Sequence, residues 1–389
     1  MKLLHTSDWH LGHELYSYDR REEQEAMLRQ MAEIVKDERP DVFVVSGDVY
    51  HTAQPSAAVQ KMFVDALIDI HKVNEEMHIV VTAGNHDSAS KHDVFQTPWS
   101  VLNVSTVGAV DKDHLEEMIV EVPGKAFVIA VPYCNERRMP ADLFQTLLDM
   151  AAERNADGLP VVMMAHTTVR GCSFAGHDNA SDSNVGGIDA CSVDDMGKGY
   201  DYLALGHIHK PQFVHSGHHN VRYCGTPLPV SFDEDYAHSV SIVEIGRHGD
   251  KPAVREVAIR NPHPLVTLPA AGSAAPWDDV MKMLEDYAEN NSPYIRLNVQ
   301  TEGALPLGAR EDARRLCEEK GARFCLINCV KASDVQAGQP TAYSIHDFQK
   351  RQPAEIAQSY IEQKGEVFDD ELRRLFEEAE RLVREEERT

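Results

Sequence analysis

Short apolar runs recur along the first two thirds of the chain, separated by stretches with helical spacing. The runs are KLLHTS (2–7), DVFVVSG (41–47), HIVVTAG (78–84), AFVIAVP (126–132), PVVMMAH (160–166), DYLALGH (201–207), NVRYCG (220–225), SVSIVEI (239–245) and VREVAI (254–259). They are rich in Val and Ile, as buried strands are. Between them the pattern predicts a helix over about 19–38, ending before Pro40, and a second starting near Pro55 and Ser56. In the second, Val59, Met62, Phe63, Ala66, Leu67 and Ile70 recur at steps of three and four, the spacing of one helical face. Strands alternating with helices predict a layered α/β fold.

The segment 168–199 breaks this rhythm. It contains GCSFAGHDNASDSNVGG and reads as a long loop, of a length that is often functional or mobile. It lacks the GxxxxGK[ST] pattern, so it is no phosphate-cradling loop and the chain carries no nucleotide-triphosphate motif of its own. Around 260–277 the composition shifts to Pro, Ala and Gly, which sets a boundary near 262. Beyond it the order is strand, helix (about 277–290), strand (YIRLNVQ), helix (about 308–320), strand (FCLINCV), a small α/β unit over 263–334. From 335 to 389 no strand is expected. There the pattern is helical and amphipathic, with Ile356, Tyr360 and Ile361 on one side of a first helix. Asp369 and Asp370 can cap a second, which carries Leu372, Leu375, Phe376, Ala379, Leu382 and Val383.

A length of 389 residues suits two or three domains, and a hydrophobic fraction of 42% suits a sizeable core. The N-terminus has no apolar core of a signal peptide and no run approaches a membrane span, so a soluble, cytoplasmic protein is expected. The seven cysteines form no CxxC pair, which argues against a disulfide framework and a thiolate zinc site. Cys325 and Cys329 share a face at period two and read as buried free thiols. The net charge of −25 opposes binding to a polyanion, so duplex DNA should be held weakly by this chain alone.

The chemistry gathers at the ends of the runs. Asp8 and His10 follow the first, Asp48 and His51 the second, and Asn85, His86 and Asp87 the third. PVVMMAH ends at His166, and DYLALGH at His207, with His209 just beyond. In open α/β sheets this carboxyl edge is where sites form. Carboxylate, amide and imidazole donors without thiolate suit manganese, iron or zinc. Asp8, His10, Asp48, Asn85, His166, His207 and His209 are too many for one small ion but suit two, about 3.5–4 Å apart and bridged by a carboxylate.

These motifs resemble the calcineurin-like metallophosphoesterases. More narrowly, HTSDWHLG (5–12), GDVYHTAQPS (47–56), HTTVRG (166–171), LALGHIHKPQ (203–212) and VRYCGTPLPVSFDE (221–234) resemble the SbcD family, the nuclease subunits of bacterial SbcCD complexes. The resemblance covers about the first 260 residues. It implies a metallophosphoesterase β-sandwich flanked by helices over 1–262, a small α/β capping domain that contacts DNA, and a helical tail docking on the coiled coil of the SbcC ATPase. One metal would take Asp8, His10 and His209, the other Asn85, His166 and His207, with Asp48 bridging. The ions would most readily be manganese. His86 would act as general acid, Asp87 would orient its imidazole, and His51 would position the phosphate. Many bacterial relatives have Asp where His51 stands, and Ala165 precedes His166 where Gly is frequent. The implied activity is double-strand exonuclease and hairpin or single-strand endonuclease cleavage in DNA repair, recombination and replication. The implied assembly is a homodimer joined to two ATPase subunits at the nucleoid.

No Cys, Ser or Thr sits in a nucleophile motif, so attack by water without a covalent intermediate is expected. Two other readings use the same residues: a phosphatase or phosphodiesterase of small substrates, and a scaffold that has lost activity. His5, His13, His177, His215, His218 and His219 receive no role, and Trp9 is open to base stacking or to packing under the site.

Overall fold

The computed structural model describes residues 1–330, apart from 95, 136–138, 175–190, 215–217, 289–290 and 302. The described residues form part of one compact unit. The tail expected over 335–389 and the middle of the 168–199 loop, with His177, lie outside the described residues, as does His215.

Two six-stranded mixed sheets lie face to face. The first runs β14 (Ala253–Ala258), β13 (Ser239–Glu244), β1 (Lys2–Thr6), β4 (Val42–Ser46), β5 (His78–Thr82), β6 (Val104–Val107). Its β1, β4, β5 and β6 are parallel; β13 and β14 close one edge antiparallel. The second runs β11 (Gln212–Phe213), β12 (Val221–Tyr223), β10 (Tyr202–Gly206), β9 (Val161–His166), β8 (Ala126–Ala130), β7 (Ile119–Val122), parallel from β12 to β8.

Burial on both faces explains the unbroken apolar runs. On β4, Val42 and Val44 enter the core between the sheets, with Leu3, Val162, Met164, Leu203 and Leu205. Phe43 and Val45 point the other way, onto α1 (Arg21–Glu38) and α2 (Ala57–Val73), where Met27, Met31, Val35, Phe63, Leu67 and Ile70 cover them. The second sheet is covered by α5 (Leu143–Arg154) through Leu147, Leu148 and Ala151. Two short helices, α3 (Ala89–Asp93) and α4 (Gln96–Ser100), pack beside β6.

Helix α1 starts later than the expected residue 19, because Tyr18–Asp19 (β3) pairs with Glu14–Leu15 (β2) in a tight hairpin. It ends at Arg39, whose φ of 50° is left-handed, just before Pro40. The N-terminus of α2 is capped by Ser56, whose hydroxyl accepts from the Val59 amide at 3.3 Å.

The small α/β unit is a parallel three-stranded sheet, β15 (Leu265–Leu268), β16 (Tyr294–Gln300) and β17 (Arg323–Val330), crossed by α6 (Trp277–Asp286) and α7 (Ala309–Glu319). It packs on the hairpin through Leu15, Phe232, Tyr294 and Cys325. The pairing of β16 with β17 slips between Ile295 and Arg296, which breaks the period of two. Cys325 is therefore buried and Cys329 exposed, against the expectation that both are buried. Among the described residues no cysteine forms a disulfide, and no helix is long and apolar enough to cross a membrane.

Candidate metal centre

The carboxyl ends of β1, β4 and β5 in one sheet meet those of β9 and β10 in the other. All the ligand candidates come together there. Asp8, His10 and His209 form one group whose ligand atoms lie within 4.8 Å of one another, and Asp48, His166 and His207 form a second. Asn85 joins the second group, its side-chain oxygen 3.0 Å from His166 Nε2 and 3.1 Å from His207 Nδ1. The groups adjoin across Asp48, whose Oδ2 lies 3.3 Å from His166 Nε2 and 3.9 Å from His10 Nε2.

Reaching this geometry strains the backbone. Asp8 (φ 53°), His10 (φ 45°), Asp48 (φ 51°) and His207 (φ 95°) all have positive φ. Such conformations cost about 1–3 kcal/mol each in a non-glycine residue and persist where the surroundings impose them, typically at functional sites. The glycines beside the ligands have a steric role. A Cβ on Gly206 would lie 1.9 Å from the Ser46 carbonyl oxygen, and one on Gly84 2.1 Å from Asp48 Oδ1.

The donor set fits dications. The Ser46 carbonyl accepts from His166 Nδ1 at 2.9 Å, which leaves Nε2 of the neutral ring as a lone pair. That lone pair faces the Asp48 carboxylate and the Asn85 oxygen, so three acceptors converge in a buried place. A cation between them relieves this crowding, as does a second proton on His166. Burial disfavours that proton, but Asp48 more than reverses the effect and carries the His166 pKa up to about 9. A dication supplies the same charge and competes with the proton. Burial would raise the Asp48 carboxyl, yet His166 holds it well below the usual range. His10 is pulled down by burial and so stays neutral, the form in which an imidazole can bind a metal.

His209 repeats the arrangement. Its Nδ1 donates to Glu234 Oε1 at 2.9 Å, turning Nε2 towards His10 Nε2, 3.3 Å away. Burial lowers the His209 pKa, but Glu234 and the site carboxylates outweigh it and the net shift is upward. Glu234 also accepts from Thr226 Oγ1 at 3.1 Å and is 5% exposed. The sequence reading assigns it no role. Between Asp233 and Asp235, nothing in residue type singles it out. Replacing Glu234 by Gln should weaken metal affinity about 10–100-fold with the fold retained, as loss of a ligand-orienting carboxylate does; metal titration followed by calorimetry checks this.

His86 stands at the open side of the cluster. Its amide donates to Asp48 Oδ1 at 2.9 Å, and its Nδ1 lies 3.0 Å from the His51 carbonyl, which can only accept. The resemblance gives Asp87 the task of orienting the His86 ring. In the structure its oxygens accept from the amides of Gly84 (2.9 Å), Val49 (3.1 Å) and Tyr50 (2.9 Å), tying the turn after β5 to the turn after β4. The His51 ring stacks on His86, centroids 5.7 Å apart and tilted 19°. His10, His51 and His86 form a third group with metal-ligand spacing.

Of the histidines left without a role, His13 meets the His51 ring edge-on at 4.7 Å, and burial, then Arg20, lower its pKa to about 2. His5 is buried between the sheets against the Tyr202 hydroxyl, and His218 and His219 are exposed. Trp9 is 2% exposed, donates to Thr6 Oγ1 and packs on Phe43 and Phe63, which leaves it no face for a base.

A family model of the calcineurin-like phosphoesterases matches residues 1–211, the span that carries all of the ligand candidates. The chain belongs to that family. As a member it is a metallophosphoesterase-type hydrolase with buried His and Asp clusters able to hold metals. Its relatives include the SbcD subunit of the SbcCD nuclease of Rhodobacter capsulatus, 28% identical over 75% of this chain and 77% of that one. The SbcD subunit of Escherichia coli K12 is 27% identical over 78% of this chain and 79% of the relative. That of Bacillus subtilis is 29% identical over 81% and 82%. These matches extend over more of the phosphoesterase chain than the 211 residues of the family model.

Proposed function

We propose that the chain is the nuclease subunit of an SbcCD-like complex, hydrolysing DNA phosphodiesters at a binuclear metal centre. Asp8, His10 and His209 hold one dication, Asn85, His166 and His207 the other, and Asp48 bridges; manganese suits these donors. The observation that carries the reading is the meeting of the two ligand groups across Asp48, whose Oδ2 lies 3.3 Å from His166 Nε2 and 3.9 Å from His10 Nε2. Bound dications supply charge neutralisation at the phosphate and an acidified water.

The chain's own residues supply the rest. His86 keeps one proton on Nδ1 towards the His51 carbonyl, so its imidazolium form has an Nε2 proton to give to the departing sugar oxygen. His51, stacked on it, positions the phosphate. Asp87 keeps the β4 and β5 turns in register, so that Asp48 and Asn85 stay opposed. The three-stranded unit caps the site and contacts DNA. The tail over 335–389 docks an SbcC-type ATPase, and two copies pair in the assembly. The length of the matches to named nuclease subunits supports DNA over a small substrate.

The test is purified protein, with manganese and with magnesium, on a DNA hairpin and on bis(p-nitrophenyl) phosphate. Metal-dependent cleavage of both is expected. Turnover of the small diester with an untouched hairpin, also after adding the ATPase partner, would replace the nuclease by a small-molecule phosphodiesterase.

A further inference from the structure

The start of helix α1 carries two side chains that do nothing for the helix itself. Arg20 stands at the N-cap, 2% exposed, and its side chain makes no capping bond. A cation is disfavoured at the positive end of a helix dipole, and burial adds to that unless the charge is paired. Gln24, 4% exposed, shares the buried face of α1 with Met27, Leu28 and Met31, where an amide needs partners of its own.

Those partners lie in the loops that carry one ligand set. Gln24 spans the turn after β1. Its Oε1 accepts from the Gly12 amide at 3.1 Å, and its Nε2 donates to the carbonyls of His10 (3.4 Å) and His13 (3.3 Å). One side chain thus ties down the turn in which His10 sits at φ 45°.

Arg20 reaches the other imidazole of that set through a single peptide. Its Nη1 donates to the Pro229 carbonyl at 2.6 Å and faces His13 Nδ1 at 3.3 Å. Across the peptide from that carbonyl, the Val230 amide donates to Glu234 Oε2 at 3.3 Å. Glu234 Oε1 accepts from His209 Nδ1 at 2.9 Å. Arg20 is held in turn by Glu23, 3.5 Å from its Nε, and by the Tyr294 ring, 5.8 Å away. The Tyr294 hydroxyl donates to the same Glu23 oxygen at 2.5 Å.

The other ligand set is seated on the strands instead. His166 Nδ1 donates to the carbonyl of Ser46, the last residue of β4, and Asp87 ties the turn of Asn85 to the turn after β4. The two sets therefore rest on different supports. Resting on the binuclear reading above, we propose that Arg20 and Gln24 are positioning residues for one metal only, the ion of Asp8, His10 and His209. Gln24 sets His10 through the turn, and Arg20 sets His209 through Glu234.

The experiment titrates manganese into the metal-free full chain by calorimetry, with the wild type, Gln24→Met, Arg20→Met and Arg20→Lys. The wild type should take two ions. In Gln24→Met and in Arg20→Met one ion should bind about 10–100-fold more weakly, the worth of a lost orienting neighbour, with the other unchanged. Arg20→Lys keeps a donor for the Pro229 carbonyl and should recover most of the loss. Because Arg20 acts through Glu234, Arg20→Met should add nothing in a Glu234→Gln chain, whereas Gln24→Met should add its full effect there. Manganese-soaked crystals of Gln24→Met should show the anomalous peak of the Asp8, His10 and His209 ion depleted. Equal weakening of both ions, no weakening in Gln24→Met, depletion of the other peak, or an Arg20 effect undiminished by Glu234→Gln would overturn the proposal. Should Arg20→Met fail to fold, Gln24→Met, which leaves the Arg20–Glu23 pair in place, decides alone. A wild type that takes a single ion would overturn the binuclear reading; the positioning role then stands if Gln24→Met weakens that ion and falls if it does not.

Discussion

Replacing Asp48 by Ala is expected to abolish metal-dependent hydrolysis and to lower bound metal to less than two ions per chain. Asp48 adjoins both groups, 3.3 Å from His166 and 3.9 Å from His10. Removing it separates the two ligand sets and takes away the charge that holds a cation between them. It also frees the His86 amide, which Asp48 accepts at 2.9 Å. Asp48→Asn keeps the shape and this hydrogen bond but not the charge, and should fail in the same way. Metal analysis of the purified variants, beside diester hydrolysis, checks both. Full activity with two ions in either variant would rule out a shared bridging ligand.

The second large effect concerns His86. His86→Asn should leave metal content near normal and lower turnover by about 10²–10⁴-fold, the usual worth of a general acid. The loss should sit in kcat, and a substrate with a better leaving group should recover part of it, because such a group needs no proton. The alternative is concrete, since His86 also shares a ligand-like group with His10 and His51. If the variant loses a metal ion in proportion to its activity, His86 is a ligand and the proton comes from elsewhere.

The layered α/β fold was legible because both faces of the central strands are buried, which leaves runs such as Phe43–Val44–Val45 without a polar interruption. Short edge strands carry no such signal. Val104–Val107 reads VSTV, half polar, and Ile119–Val122 reads IVEV, broken by Glu121, and only their pairing with β5 and β8 makes them strands. The candidate ligands were legible because residue type and position coincide: one Asp, Asn or His after an apolar run is an ordinary turn residue, but five runs ending this way are not. Glu234 was not, since its task depends on His209, 25 positions earlier, reached only through the fold. The partners of Asp87 were hidden for the same reason: they are backbone amides, which leave no mark on the sequence. The faces of Cys325 and Cys329 turned on a bulge that no residue type announces.

The central claim is that two dications sit between Asp8, His10 and His209 on one side and Asn85, His166 and His207 on the other. Crystals of the full chain soaked in manganese, with anomalous data collected near the manganese edge, test it directly. Two peaks about 3.5–4 Å apart, with Asp48 reaching both, are the expected result. A single peak, or a peak held by His10, His51 and His86 in place of the second, would contradict the binuclear centre.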